Sequence, residues 1–405
     1  MRRARIIIGC NYGDEGKGLA AVHCAKEAGA DCLNVLINGG AQRGHTVETE
    51  DGMRHVFHHF GSGAMYGAVS CADEDFILNP LLYCQEHEQL TGSVGLRPRL
   101  MVSAHCRVST PYDMMLGQII EGNRGCARHG SCGCGIQETR LRYQHTRWAL
   151  PWHTLAALPR DGFLAYCRRI TGEYLPKRLE ALGMKLPPDW IPLLEDPGIA
   201  EHAWLDMQHM KATTETYDDW RTMAAAWPLL VFEAGQGLAL DENNLRDFPH
   251  LTPSSTTSLV SAKRIAALPG NTDAEVIYVT RSYFTRHGAG PFPTECAKEA
   301  INARMEDRTN VPNPHQHTLR YGLFDQDALL KRAMADREAS RQVLPSLRTA
   351  LLVTHLNETG GRLTGGASLA DLAASFDRML YSDCPWQVEE CRDHGAVLPA
   401  ENLLG

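Results

Sequence analysis

The chain has 405 residues, 43% hydrophobic and 22% charged, which is the balance of a globular protein with a sizeable core. A net charge of −8 excludes the broad basic face that general nucleic-acid binding needs, while Arg140, Arg142 and Arg147 form a local basic cluster suited to a small anion. No apolar run approaches the roughly 18 residues of a membrane span, and the three isoleucines behind the basic start are too few for a signal peptide, so a cytoplasmic protein without membrane partners is expected.

In chain order, buried-strand candidates fall at Arg5–Ile8, Cys32–Ile37, Leu229–Phe232, Val276–Val279 and Ala350–Val353, with helical patterns between them. That alternation predicts an α/β fold with a mainly parallel central sheet and surrounding helices. The first candidate leads into a glycine-rich loop, "GCNYGDEGKG". A Walker A loop reads G-x-x-x-x-G-K-[ST]. Here Asn11 stands in the first glycine's place and Gly18 follows Lys17. The strand, the lysine and a following helix remain, and backbone amides at a helix start favour an anion. Asp14 and Glu15 sit where phosphate oxygens would be crowded by charge. A carboxylate held ionised there suits a proton acceptor or a Mg²⁺ ligand. The bland alternative is a βα turn with solvated acids.

The second candidate strand leads into "INGGAQRGHTV" (37–47), a flexible loop ending in His45. A lone histidine is usually structural. On a glycine loop facing the first, it is a candidate donor to a developing oxyanion or a phosphoryl oxygen. Further on, Cys126, Cys132 and Cys134 lie in "GCARHGSCGCG", whose spacing fits zinc poorly and a glycine-rich loop better. The thirteen cysteines are otherwise scattered, as free thiols of a reducing compartment are. Residues 148–227 have helical spacing and are expected to form a helical subdomain or insertion within a single domain spanning 1–405. The segment after Cys384 shows no sheet pattern.

"GDEGKG" (13–18) and "GGAQRGHT" (39–46) together resemble the adenylosuccinate synthetase motifs G-D-E-G-K-G and G-G-x-N-A-G-H-T. "VFEAGQGLALD" (231–241), "LTPSSTT" (251–257) and "YFTRHGAGPFPTE" (283–295) are similar to three further motifs of that family, in the same order. The resemblance implies the family's P-loop-like fold and a ligase that joins L-aspartate to the 6-position of IMP. In that chemistry a loop aspartate takes the purine N1 proton and the 6-oxygen attacks the γ-phosphate of GTP. The amine of aspartate then displaces phosphate. Carried over, Asp14 is the base, His45 the acid, Lys17 the phosphate contact and Gln236 the glutamine beside the purine 6-position. Gly13, Glu15, Gly16, Gly18, Gly44 and Thr46 fall to the triphosphate, with Mg²⁺ on Asp14 and the Gly44 carbonyl. A homodimer with one arginine reaching across is also implied.

The departures are specific. Gln42 and Arg43 replace Asn-Ala before Gly44. "SCGCGIQE" (131–138) stands for T-T-G-R-G-I-G-P, keeping one hydroxyl at Ser131 and losing another at Cys132. With Arg147, Thr252 and Thr256, these residues are the expected monophosphate contacts, with Arg142 a second candidate for the arginine. The aspartate loop becomes "HQHTLRYGLFD" (315–325), leaving His317 and Arg320 as candidates for the carboxylates. The guanine-reading T-K-x-D becomes "THLN", so His355 and Asn357, with Ser382, are the expected base contacts. Asn357 offers one acceptor and one donor, which either weakens guanine preference and admits ATP or still reads guanine, less well, with help from the backbone. Phage relatives of the family use dGMP, some with ATP, to make 2-aminoadenylosuccinate, and the LRYG pattern is similar to theirs. Their loop aspartate is often replaced by a small residue, whereas Asp14 is intact. Three readings therefore stand: an IMP-directed ligase, a dGMP-directed ligase, and a nucleotide-binding protein that has lost ligation.

Overall fold

The computed structural model describes residues 1–305, 310 and 318–391. Its centre is a sheet of ten strands, numbered here in chain order: β1 (Arg2–Gly9), β2 (Cys32–Leu36), β3 (Val69–Ala72), β4 (Leu100–Ser103), β5 (Glu215–Tyr217), β6 (Leu229–Gly237), β7 (Thr272–Arg281), β8 (Arg348–Thr354), β9 (Arg378–Tyr381) and β10 (Glu389–Glu390). Their spatial order is β10-β9-β8-β7-β1-β6-β2-β3-β4-β5. Each neighbouring pair is parallel except β9 with β10.

Parallel strands covered on both faces read as continuous apolar runs, and β1 shows why. Ile6 and Ile8 belong to a core with Phe232, Val276, Tyr278 and Leu351 on one face. Ile7 points the other way, packing with Ala20, Ala21, Val231 and Ile277 beneath helix α1 (Lys17–Ala25). The five strands expected from apolar runs are all present, each longer or shorter by a few residues. Strands β3, β4 and β9 were too short to stand out, and β10 pairs through its backbone without an apolar pattern.

Helices fill much of 152–213, but Glu215–Tyr217 returns to the sheet as its edge strand β5. The apolar faces of those helices, through Trp152, Phe163, Tyr166, Leu175 and Met207, share one core with Leu36 and Val102 of the sheet. Arg142 lies in this layer. It is fully buried, with a bidentate pair to Asp113 at 2.8 Å for both bonds and further bonds to the Trp148 and Val108 carbonyls. Such a guanidinium is a structural tie, and the reading of Arg142 as a phosphate ligand is corrected here. Removing one partner of a buried pair costs roughly 3–5 kcal/mol, so Asp113→Ala is expected to destabilise the fold by that amount in chemical denaturation.

Among the described residues, no helix is long and apolar enough to cross a membrane.

Candidate active site

In an open parallel sheet, ligands bind in the crevice at the carboxyl ends of the strands. Several loops carrying the sequence motifs leave from that edge: 10–16 after β1, 37–44 after β2, 238–241 after β6, 282–283 after β7 and 355–359 after β8.

The first loop turns sharply. Gly13, Asp14 and Gly16 all have positive φ, at 99°, 60° and 89°. A Cβ on Gly16 would stand 2.9 Å from the Thr354 methyl, so the β8 end presses directly on the turn. Gly16 caps α1 without any side-chain bond, which leaves the helix's first amides for a ligand. Gly18 is equally constrained, since a Cβ would lie 2.7 Å from the Thr46 carbonyl. Loop one and the histidine loop therefore touch.

Asp14 is the exposed acid of the pair, with a side chain one-fifth accessible. Its Oδ2 accepts from Arg281 Nη2 at 2.9 Å and Asn310 Nδ2 at 2.8 Å. Burial opposes its charge, but Arg281, His287 and Asn310 outweigh burial and hold the carboxyl below its ordinary range. Glu15 points inward instead. Its Oε1 accepts the Asn11 amide at 2.5 Å, and its Oε2 lies 3.9 Å from Lys17 Nζ. Burial pushes Glu15 up and Lys17 down. Glu15 is thus a brace for the loop, with its acid turned away from the triphosphate contact expected of it.

His45 opens the short hairpin after the second loop, with Thr46 half-buried behind it. Its Nδ1 lies 2.5 Å from Glu233 Oε1. The same Nδ1 lies 2.7 Å from Arg43 Nη2, so it faces a group that only accepts and a group that only donates. Arg43 Nη2 stands 2.7 Å from the same Oε1. Glu233 also accepts from Ser62 Oγ at 2.5 Å, and from Ser62 N and Asn34 Nδ2 at 3.0 Å each. Burial opposes the charge of Glu233, and Arg43, His45 and Ser62 overcome it, holding this carboxyl far below the usual range. Burial and Arg43 together bring the His45 imidazole down to about 4. Its Nε2 is buried with no hydrogen-bond partner.

Gln42 and Gln236 meet at Gly39, where a Cβ would be 2.8 Å from one amide and 3.2 Å from the other. Both amide atoms of Gln42 are buried and unpartnered, while Gln236 Oε1 accepts from Thr252 Oγ1 at 3.4 Å. Buried polar groups are as a rule hydrogen-bonded, and the Gln42 amide departs from that rule. Beside the two glutamines a cavity is lined by Asn38, Gly39, Arg107, Arg140, Ser254 and Ser255, among others.

Other expected contacts lie elsewhere or are already engaged. Thr256 is fully buried and bonded to Asp241. Ser131 is exposed, and Cys132 is half-buried with its carbonyl facing the Cys134 thiol at 3.9 Å. Among the described residues no metal cluster forms there or elsewhere. Arg147 is on the surface, paired with Glu173 at 2.6 Å. Arg320 spends its donors on Glu295 and the Gly288 and Gly290 carbonyls. His317 lies outside the described residues. His355 has φ of 59° and sits beside Asp14 and Arg281, kept neutral first by burial and then by Arg281. Asn357 is exposed one turn on, and Ser382 is buried, donating to the Cys384 carbonyl at 2.6 Å.

Sequence reasoning missed Glu233 and Arg281 as site residues. Each is a charge inside an apolar strand, in "LLVFE" and "VIYVTR", and a buried charge that breaks a strand pattern is the signal that marks them.

The fold and this site define a nucleoside-triphosphate-dependent ligase that forms a C–N bond. The adenylosuccinate synthetase family profile matches residues 6–345, and the chain belongs to that family. The adenylosuccinate synthetase of Thioalkalivibrio sulfidiphilus is 29% identical over 400 residues, covering 96% of this chain and 88% of the relative. That of Chromohalobacter salexigens is 30% identical over 336 residues, covering 81% and 73%. Among solved structures, the fully ligated adenylosuccinate synthetase of Plasmodium falciparum superposes with a TM-score of 0.65 at 19% identity, covering 87% of this chain and 77% of that one. The succinoaminodeoxyadenylate synthetase of cyanophage S-2L, bound to dGMP and to dATP as energy donor, gives 0.64 at 14% identity, covering 100% and 98%. These last two are likenesses of fold.

Proposed function

We propose that this chain joins L-aspartate to the 6-position of a purine nucleoside monophosphate, IMP in the first reading, at the expense of GTP or ATP. The observation that carries it is convergence: Asp14 and Lys17 from the end of β1, His45 from beyond β2 and Gln236 from β6 meet at one edge of three adjacent strands.

The ionised Asp14 takes the N1 proton, and the 6-oxygen becomes a nucleophile. That oxygen bonds to the γ-phosphorus as the bond to the nucleoside diphosphate breaks. The amine of aspartate then forms the bond to C6, and phosphate leaves with the oxygen. Lys17 and the first amides of α1 hold the polyphosphate, Gln42 and Gln236 orient the purine, and His45 faces the moving phosphoryl group. General acid–base help of this kind is worth about 10²–10⁴-fold. Mg²⁺ fits the donor set, because it takes one or two carboxylates plus phosphate oxygens, and Asp14 presents a hard carboxylate with the Gly44 carbonyl as a further oxygen. When bound, the ion neutralises charge on the phosphates. Of the two arginines considered for a site shared between copies, only Arg147 is on the surface, and it is our candidate for reaching a partner in a homodimer.

A second reading, a dGMP-directed ligase using ATP, is favoured by Asn357 in place of the guanine-reading carboxylate. Phosphate release measured with IMP, dIMP, GMP and dGMP, each against GTP and ATP, with aspartate and other amines, separates the two. Nucleotide binding by calorimetry without product in any pairing would instead establish the third reading, a binding protein that has lost ligation. Asn357→Asp is expected to raise the GTP-over-ATP preference in kcat/KM by about 10- to 100-fold, the worth of a hydrogen bond to a charged group. An unchanged ratio removes Asn357 from base recognition.

A further inference from the structure

The loop of residues 39–46 presents two side chains with idle polar atoms, the Gln42 amide and His45 Nε2. Gly39, Gly40 and Gly44 make such a loop costly to hold still. Between the two ligand-facing residues stands Arg43, where the family motif has a small alanine. Its side chain has no exposure to solvent. Its Nη2 reaches Glu233 Oε1 at 2.7 Å and lies 2.7 Å from His45 Nδ1, while its Nε and Nη1 have no partner, so the side chain's tie rests on one nitrogen. The loop backbone is also held by His58 Nδ1 against the Ala41 and Arg43 carbonyls and by Ile77 N donating to the Gly39 carbonyl at 2.8 Å. Glu233 is a rigid post, held by Asn34 of β2, by Ser62 and by its own strand β6. Around it the charged and titratable groups are Arg43 and His45 from the loop and Lys17 from α1.

We propose that Arg43 is a positioning residue that ties the glycine-rich loop to Glu233 before any ligand arrives, so that Gln42 and His45 meet the substrate already aimed. The kinetic part rests on the ligase reading above; the anchoring part does not. A loop that is competent only part of the time lowers apparent affinity by that fraction, and saturating ligand restores it. The effect of losing the tie therefore falls on KM and spares kcat.

The test uses the full chain, by amide hydrogen exchange without ligand and by steady-state kinetics. The wild-type segment 39–46 is expected to be protected. In Arg43→Ala, which also leaves Glu233 without its counter-charge and lowers the stability of the whole fold, exchange of this segment rises at least tenfold more than that of peptides of β1 and β6, KM for the purine monophosphate rises about tenfold, and kcat stays within about threefold. Arg43→Lys, which puts one charged nitrogen near the place of Nη2, restores both. Arg43→Gln replaces the alanine variant if that variant does not fold. Wild-type exchange at the rate of open chain, unchanged exchange in the variants without the charge, or a fall in kcat at constant KM overturns the proposal. Protection that depends on Arg43, with no turnover in any substrate pairing, upholds the anchor and sinks the ligase reading alone.

Discussion

Replacing Asp14 by asparagine lowers turnover by at least ~100-fold and leaves nucleotide binding in place, the loss expected when a general base is removed. Asparagine is the clean substitution here. Asp14 has φ of 60°, a left-handed conformation that Asn adopts with little strain. The carboxamide can still accept from Arg281 and Asn310 through its oxygen, so the turn keeps its ties. What disappears is the negative charge and the capacity to take a proton. Phosphate release under saturating substrates reads the first effect, and calorimetry with nucleotide reads the second. Equal turnover removes Asp14 from the mechanism, and loss of nucleotide binding together with turnover makes it a residue that holds the loop or the nucleotide rather than the base.

Glu233→Gln is expected to destabilise the protein by roughly 3–5 kcal/mol, the cost of stripping one partner from a buried pair. The substitution is isosteric, so the loss is not a cavity effect. Arg43 is left as a buried cation without its counter-charge, and Ser62, Asn34 and His45 face a weaker acceptor. The pH dependence has a definite sign. Glu233 is held ionised below its ordinary range, so its contribution is complete above the unfolded value of about 4.3. It drains away as pH falls toward the folded value. Urea denaturation at neutral pH and below about pH 4 tests this: the gap between wild type and variant narrows in acid. A gap that is constant with pH, or absent at neutral pH, rules out the charge of Glu233 as its source.

The sheet and the reacting loops were legible in the chain for a common reason. Strands buried on both faces must be apolar throughout, as Arg5–Ile8 and Ala350–Val353 nearly are, and loops at their carboxyl ends carry local glycine and charge patterns. Arg142 and Arg147 were not separable, because positions five apart in the same basic cluster differ only in which face of the local structure meets the core. Arg142 turned inward to Asp113, and Arg147 outward to Glu173. Glu15 looked like a partner for phosphate because it stands beside Asp14; only the turn geometry shows it facing Asn11 and Lys17. Arg320 looked unclaimed, and the loop that claims it, 288–295, lies on a neighbouring strand in a separate small sheet. Such allegiances depend on contacts far apart in sequence, and no local spacing encodes them.

The place of β1 in the sheet has a consequence for how the protein is made. Its neighbours are β6, which begins at Leu229, and β7, which begins at Thr272, so β1 pairs with strands made more than 200 residues later. At synthesis rates of about 5–20 residues per second, an unpaired apolar edge persists for roughly 10–50 s. Asp14 and Lys17 hang from that strand, so the catalytic loop is translated early and takes shape late. A truncated chain ending before Thr272 carries the whole "GDEGKG" segment yet lacks the β7 edge, Arg281 and Thr354 that give it its form.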